Sequence, residues 1–278
     1  MCTALNYAPK NHYFGRNLDW MHSYGEDVII TPRDYRIRFK EQESIDRHYA
    51  IMGMGIISEE YPLYFDGVNE CGLCIAGLSF PDNAVYHKPV ADKCNVASYE
   101  FIPWVLSQCK TVSDAKILLN DTNITDASFS GEFETAALHW IISDMDSTIV
   151  CESVYDGLKV YDNATGVLSN NPPFNEQIEN IGKKITEDDT SSVARFINAV
   201  RLTQESVACE NDSECVSHVL RILTKVGLIK RKSNNKYTIY SACINATNGV
   251  YYYKLYESEK LYKTSFSDYD LDDDNLIM

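Results

Sequence analysis

Strands and helices come in blocks along this sequence, and that order constrains the fold more than any other feature. Runs 28–31, 49–57, 62–68 and 73–78 read as strands, because each is short, apolar or β-branched and bounded by turn residues. Gly53 and Gly55 inside the second run predict a bulge or a close approach of another backbone. The pattern then switches to the helical period over 99–109, where Phe101, Val105 and Cys109 share a face. A second helix follows, capped at Thr111 or Ser113 and ending near Leu119. Runs 136–143, 148–154 and 159–162 form a second strand block, turning back at Asp144-Met145-Asp146-Ser147. Helices over 190–204 and 213–226 precede a closing strand pair, 237–242 and 249–256. Such blocks predict an α+β layered protein with helices covering sheet faces. The segments 33–47 and 120–126 read as loops, and 170–173, with two prolines, as a stiff turn.

With 278 residues, 45% of them hydrophobic, the chain can bury a sizeable core, and without a linker or repeat it reads as one domain over 1–278. A net charge of -15 and the lack of a basic stripe argue against nucleic acid as a partner. No run is long enough for membrane insertion and no basic-then-apolar leader is present, so a cytoplasmic protein is expected. The nine cysteines would then be free thiols. Cys71-Gly72-Leu73-Cys74 has no second pair and no spaced histidines to join it, so neither a metal nor a cofactor is expected. His139, in an apolar run, reads as a hydrogen-bonded core residue, and the acidic stretch 268–274 as a solvated tail.

Chemistry concentrates at the start. Cys2 follows Met1, and its small side chain permits removal of that methionine. Cys2 would then carry a thiol, ordinarily titrating at about 8.5, and an α-amine at about 8, so one residue can supply nucleophile and base. Arg16 and Asp19 can return beside it on a hairpin, the guanidinium favouring the thiolate and the carboxylate holding the amine. Residues three apart in a strand face opposite sides, so a bulge or turn between Arg16 and Asp19 is expected if both are to reach the thiol.

The stretches Met1-Cys2-Thr3, Phe14-Gly15-Arg16-Asn17-Leu18-Asp19-Trp20, 72–81, Leu138-His139-Trp140, 166–174, Arg195-Phe196 and Tyr251-Tyr252-Tyr253 together resemble the choloylglycine hydrolases, in order and over nearly the whole chain. That family holds bile salt hydrolases and penicillin V acylases and belongs to the N-terminal nucleophile hydrolases. The resemblance implies a four-layer αββα sandwich with two stacked antiparallel sheets, and Cys2 at the end of a central strand. It implies Cys2 as nucleophile and base, Arg16 beside the thiol, Asp19 on the amine, and Arg195 in the active site. It also implies Asn170 as a side-chain donor and Ser79 as a backbone donor to an oxyanion. Bile salt hydrolases usually carry asparagine at the Ser79 position; serine keeps the backbone donor and alters rate or preference.

A second departure is length. From Phe174 to Arg195 is 21 positions (195 − 174). In the family this interval is much longer and holds a loop used in tetramer assembly. Here the segment at about 175–190 is shortened and ends in the charged, flexible run 182–189, which bears on the assembly of the homo-oligomer, the pocket wall and the placement of Arg195. The implied substrate is a small amphipathic amide, a glycine- or taurine-conjugated bile acid. Alternatives are penicillin V or an N-acyl homoserine lactone with the same machinery, or a catalytically weakened paralogue. Phe101, Trp104, Tyr24 and Phe80 are candidates for an apolar sterol pocket, set against the commoner fate of aromatics as core.

Overall fold

The computed structural model describes residues 2–131, 133–186, 188–205, 209–230, 235–256 and 258–278. The expected loss of Met1 concerns a residue outside these, and the run 182–189 is described except at Glu187. The first block holds β1 (Cys2–Tyr7), β2 (Tyr13–Trp20), β3 (Asp27–Thr31), β4 (Ile51–Ser58), β5 (Tyr61–Tyr64), β6 (Asp66–Asn69) and β7 (Cys74–Ser79). Then come β8 (Cys94–Ala97), α1 (Phe101–Gln108), α2 (Val112–Asn120) and β9 (Thr122–Thr125). The second block is β10 (Leu138–Ser143), β11 (Thr148–Val154), β12 (Gly157–Asp162) and β13 (Val167–Ser169). The chain continues through α3 (Phe174–Glu179), α4 (Ser192–Gln204), α5 (Asp212–Val226), β14 (Tyr237–Asn245), β15 (Val250–Leu255) and β16 (Tyr262–Ser265).

One sheet runs β13, β1, β2, β14, β15, β16; the other runs β12, β11, β10, β7, β6, β4, β3, with β5 also on β4. Every pairing in both is antiparallel. Alternation along the strands sends successive side chains to opposite faces. Cys2, Ala4, Phe14 and Leu18 of the first sheet thus meet Val68, Ala76, Ile141 and Val150 of the second in an inter-sheet core. Leu5, Tyr13 and Val167 face the other way, against Phe196 and Ala199 of α4 and Val219 and Leu223 of α5. Ile75, Trp140 and Ile142 lie on the far side of the second sheet under Phe101, Val105 and Leu106 of α1. The layer order is αββα.

Four readings change. The segment 120–126, read as a loop, holds β9, paired in parallel with β8. The run 62–68 is two strands, broken where Phe65 N–H turns to Met54 O (2.9 Å) and Phe65 O takes Gly77 N–H (3.0 Å). The break lets β6 insert between β4 and β7. The expected close approach occurs there: a Cβ on Gly53 would lie 2.1 Å from Asp66 O, and one on Gly55 2.4 Å from Leu63 O. The acidic tail is tied down, Ile277 bonding Ile30 in both directions (2.8 and 3.0 Å) while Leu271 O takes Arg33 N–H (2.8 Å). Leu271, within the acidic stretch, and Leu276 and Ile277, just after it, pack on the cores. Cys209 and Cys215 are bonded to each other, because the turn capping α5 at Asn211 brings their Cα atoms to 5.3 Å; the remaining cysteines are free. Among the described residues no helix is long and apolar enough to cross a membrane.

Candidate active site

Cys2 begins β1 and is 3% exposed. It stands opposite Leu18 of β2, and on its other side the Thr3↔Ser169 register continues to Asn170. Three elements therefore converge on one strand end. Arg16, 2% exposed, projects from β2 into the inter-sheet space, its Nη2 3.7 Å from Cys2 Sγ. The same guanidinium donates to Gly77 O (3.0 Å) and Phe65 O (2.6 Å) and pairs with Asp66 Oδ2 (3.1 Å).

Asp19 lies on the opposite face of β2, toward the helices. Its Oδ2 accepts from Arg195 Nη1 (3.0 Å) and its Oδ1 from the Thr238 hydroxyl (2.6 Å). The bulge expected between Arg16 and Asp19 does not occur. β2 pairs with β1 in unbroken register, and the irregularity falls on β14 between Thr238 and Tyr240. No bulge is needed because Cys2 sits at the strand end, where groups from both faces can reach it. The backbone N–H of Asp19 favours the thiolate there, and Arg16 Nη2 stands 3.7 Å from the sulfur.

Arg195 lies in the first turn of α4, 21 positions after Phe174 (195 − 174). Ser191 caps that helix, its Oγ accepting from Ala194 N–H (3.2 Å). From there Arg195 Nη1 donates to Cys2 O (3.0 Å), Thr3 Oγ1 (3.1 Å) and Asp19, and Nη2 to Asn170 Oδ1 (3.2 Å). Asn170 Oδ1 also accepts from Cys2 N–H, while its Nδ2 donates to Ser79 O (2.7 Å). Phe80 N–H bonds Ala137 O across the β7–β10 register, so Ser79 turns its own N–H away from β10, to the side where its carbonyl meets Asn170. Asn170 thus joins the Cys2 backbone to Ser79.

The loop bearing Asn170 is held from below. Gln177 of α3, fully buried, donates through Nε2 to Asn170 O (2.5 Å) and Pro172 O (2.8 Å) and accepts Ser169 N–H (3.1 Å). Glu152 Oε1 takes Phe174 N–H (2.9 Å) and contacts His139 Nδ1 (3.1 Å). His139 also stacks on Phe80 with ring centroids 4.3 Å apart, and is the hydrogen-bonded core residue expected. Asp66, Gln177, Glu152 and Thr238 had no readable signal, since each is a common polar residue whose partners are distant in sequence. Of the aromatic candidates, Phe80, Phe101 and Trp104 are core, the last two on α1 beyond the second sheet. Only Tyr24 is exposed (42%), beside Phe65 at 5.7 Å.

The electrostatics favour a reactive sulfur. Burial works against the Cys2 thiolate, the charge of the Met1 amino group and Arg16 favour it, and in the unprocessed chain the thiol sits below its ordinary value. Burial also opposes charge on Arg16, yet the Cys2 sulfur and the Asp66 carboxylate keep it protonated. Burial raises the Asp19 carboxyl, with Arg195 and Thr238 pulling the other way. Cys74, Cys151 and Cys243 are buried without such a cation, and burial pushes their thiols up. Such an arrangement can carry an attack by sulfur on a carbonyl and hold the charge that forms on its oxygen. Among the described residues no group of three His, Cys, Asp or Glu side chains gathers as a metal site.

Residues 2–278 match the family model of linear amide C–N hydrolases, choloylglycine hydrolase family. The bile salt hydrolase/transferase of Lactiplantibacillus plantarum is 39% identical over 310 residues, covering 100% of this chain and 96% of the relative. The conjugated bile acid hydrolase of Lactobacillus gasseri is 36% identical over 314 residues, covering 100% and 99%. Among solved structures, a mutant conjugated bile acid hydrolase from Clostridium perfringens superposes with a TM-score of 0.90 at 29% identity, covering 100% of this chain and 96% of the other. The penicillin V acylase of Agrobacterium tumefaciens gives a TM-score of 0.82 at 20% identity over 97% and 88%, a likeness of fold.

Proposed function

The chain belongs to the choloylglycine hydrolase family of linear amide C–N hydrolases, and on that premise we propose that it cleaves the amide of glycine- or taurine-conjugated bile acids with an N-terminal Cys2. The observation that carries this reading is the strand end itself: one buried thiol between Arg16, at 3.7 Å, and the Asn170 and Asp19 side of the site.

With Met1 removed, the Cys2 amine takes the thiol proton and the sulfur attacks the amide carbonyl carbon. The tetrahedral oxyanion is received by Asn170 Nδ2 and Ser79 N–H. As the intermediate collapses, the C–N bond breaks and the amine returns the proton to the departing glycine or taurine nitrogen. Water then hydrolyses the thioester, releasing the bile acid and restoring the thiol. Arg16 favours the thiolate; Asp19, Asn170 Oδ1 and Arg195 hold the amine and the strand end that carries it. Tyr24 supplies exposed aromatic surface near the site, where burial, Glu26 and Cys2 raise its phenol.

The same reading takes the protein as one domain, supported by an inter-sheet core that draws on residues from Cys2 to Ile277, and as a cytoplasmic homo-oligomer. Side-by-side kcat/KM values for taurocholate, glycocholate and penicillin V test the substrate. Preference for a bile acid conjugate is expected. Preference for penicillin V would transfer the substrate to that class with the machinery unchanged, and turnover of none would leave a weakened paralogue.

A further inference from the structure

We propose that Asp66 is a positioning residue for the Cys2 chemistry: it fixes one corner of the Arg16 guanidinium so that the other corner stays at the sulfur. This rests on the reading of Cys2 as nucleophile. Asp66 opens β6 in the second sheet, is fully buried, and pairs across the inter-sheet space with Arg16 of the first. Two further side chains of the first sheet close on it. Tyr240 of β14 donates its hydroxyl to Oδ2 (2.5 Å), and Tyr251 of β15 donates to Oδ1 (2.6 Å); both are fully buried.

The geometry makes Asp66 more than a neutralising charge. A guanidinium is a rigid planar fork. Holding Nη1 on Asp66 Oδ2 (3.1 Å) and Phe65 O (2.6 Å) sets where Nη2 points, and it points at Gly77 O (3.0 Å) and Cys2 Sγ (3.7 Å). Asp66 itself is held at both ends. The tyrosines orient its carboxylate, and its backbone is seated on β4 where only glycine leaves room, a Cβ on Gly53 falling 2.1 Å from Asp66 O. Burying an ion pair is costly unless its remaining hydrogen-bonding capacity is met, and here two hydroxyls meet it. Burial pushes both phenols well up, so they stay protonated donors.

The test is the pH profile of Cys2 alkylation by iodoacetamide, read by mass on the Cys2 peptide, in Asp66→Asn and Tyr251→Phe, with kcat on glycocholate and the melting temperature measured alongside. Loosening Arg16 should raise the alkylation midpoint by about one pH unit in Asp66→Asn and lower kcat by about 10²-fold. Tyr251→Phe, which keeps both charges, should move both in the same direction by less. A midpoint that falls or stays in folded Asp66→Asn means the carboxylate only offsets the Arg16 charge, and overturns the proposal. If Asp66→Asn does not fold, Tyr251→Phe decides: a wild-type midpoint there overturns it equally. Alkylation needs no turnover, so a wild-type protein that releases no amino acid contradicts the functional reading separately.

Discussion

Arg16 and Asp19 leave β2 on opposite faces, and both act on Cys2 because it ends its own strand between them. The arrangement divides the work. A cation reaches the sulfur from the inter-sheet side, while a carboxylate held by Arg195 approaches from the helix side. One residue carrying both nucleophile and base can thus have each group served by the charge that suits it.

Arg195 is the link on the helix side, and its fork is the reason. Replacement by lysine keeps the charge but cannot reach Cys2 O, Thr3 Oγ1, Asp19 and Asn170 together. Arg195→Lys should lose on the order of 10²-fold in kcat with a much smaller change in KM. Steady-state kinetics on glycocholate check this, and a wild-type kcat would contradict the role.

Much of this site was legible before the structure, for identifiable reasons. Cys2, Arg16 and Asp19 lie within one hairpin, so local reasoning could assemble them. Asn170 and Arg195 are joined to Cys2 across separations of 168 and 193 residues, and only the family resemblance named them. Asp66 and Gln177 were illegible, since nothing in a strand-opening aspartate or a short-helix glutamine announces the partners that topology brings. The fold followed the same rule. Long periodic helices such as α5 were readable, while β8, β9, β13, α3 and β16 are too short to show a period. The regular β2 was misjudged because strand parity was applied to Arg16 and Asp19 without weighing that a residue at a strand end is open to groups from both faces.

On the proposed mechanism Asn170, in a loop pinned by Gln177, offers its amide to the oxyanion. Removing one oxyanion donor costs about 10²–10³-fold in kcat. Asn170→Ala should fall in that range and leave thiol alkylation at Cys2 measurable. Loss of alkylation together with turnover would mean that the loop had collapsed instead.

His12 gives the fold an acid-sensitive joint. It is 2% exposed, near Gly72 O (3.2 Å) and the Ser143 hydroxyl (3.1 Å), and burial drops its pKa to about 4. The unfolded chain takes up this proton near 6.5, the fold only near 4, so stability is full above about 6.5 and declines as pH falls toward 4. The difference corresponds to about 3 kcal/mol. Urea midpoints at several pH values, for wild type and His12→Gln, should show a shallower decline in the variant; equal slopes would rule His12 out.

Gly53→Ala should destabilise the protein by about 1–3 kcal/mol or more, because the new methyl meets the backbone of Asp66 and Gly67 at 2.1 and 2.7 Å. Gly131→Ala, with nothing within 4 Å, is the matched control. Melting temperatures compare the two, and equal values would contradict the close packing of β4 on β6.

The most direct measurement is intact mass of the purified protein, with free glycine and taurine assayed after incubation with glycocholate and taurocholate. Loss of Met1 together with amino-acid release, the release abolished in Cys2→Ser, is the predicted result. A processed, folded Cys2 protein that releases nothing from any amide would contradict it.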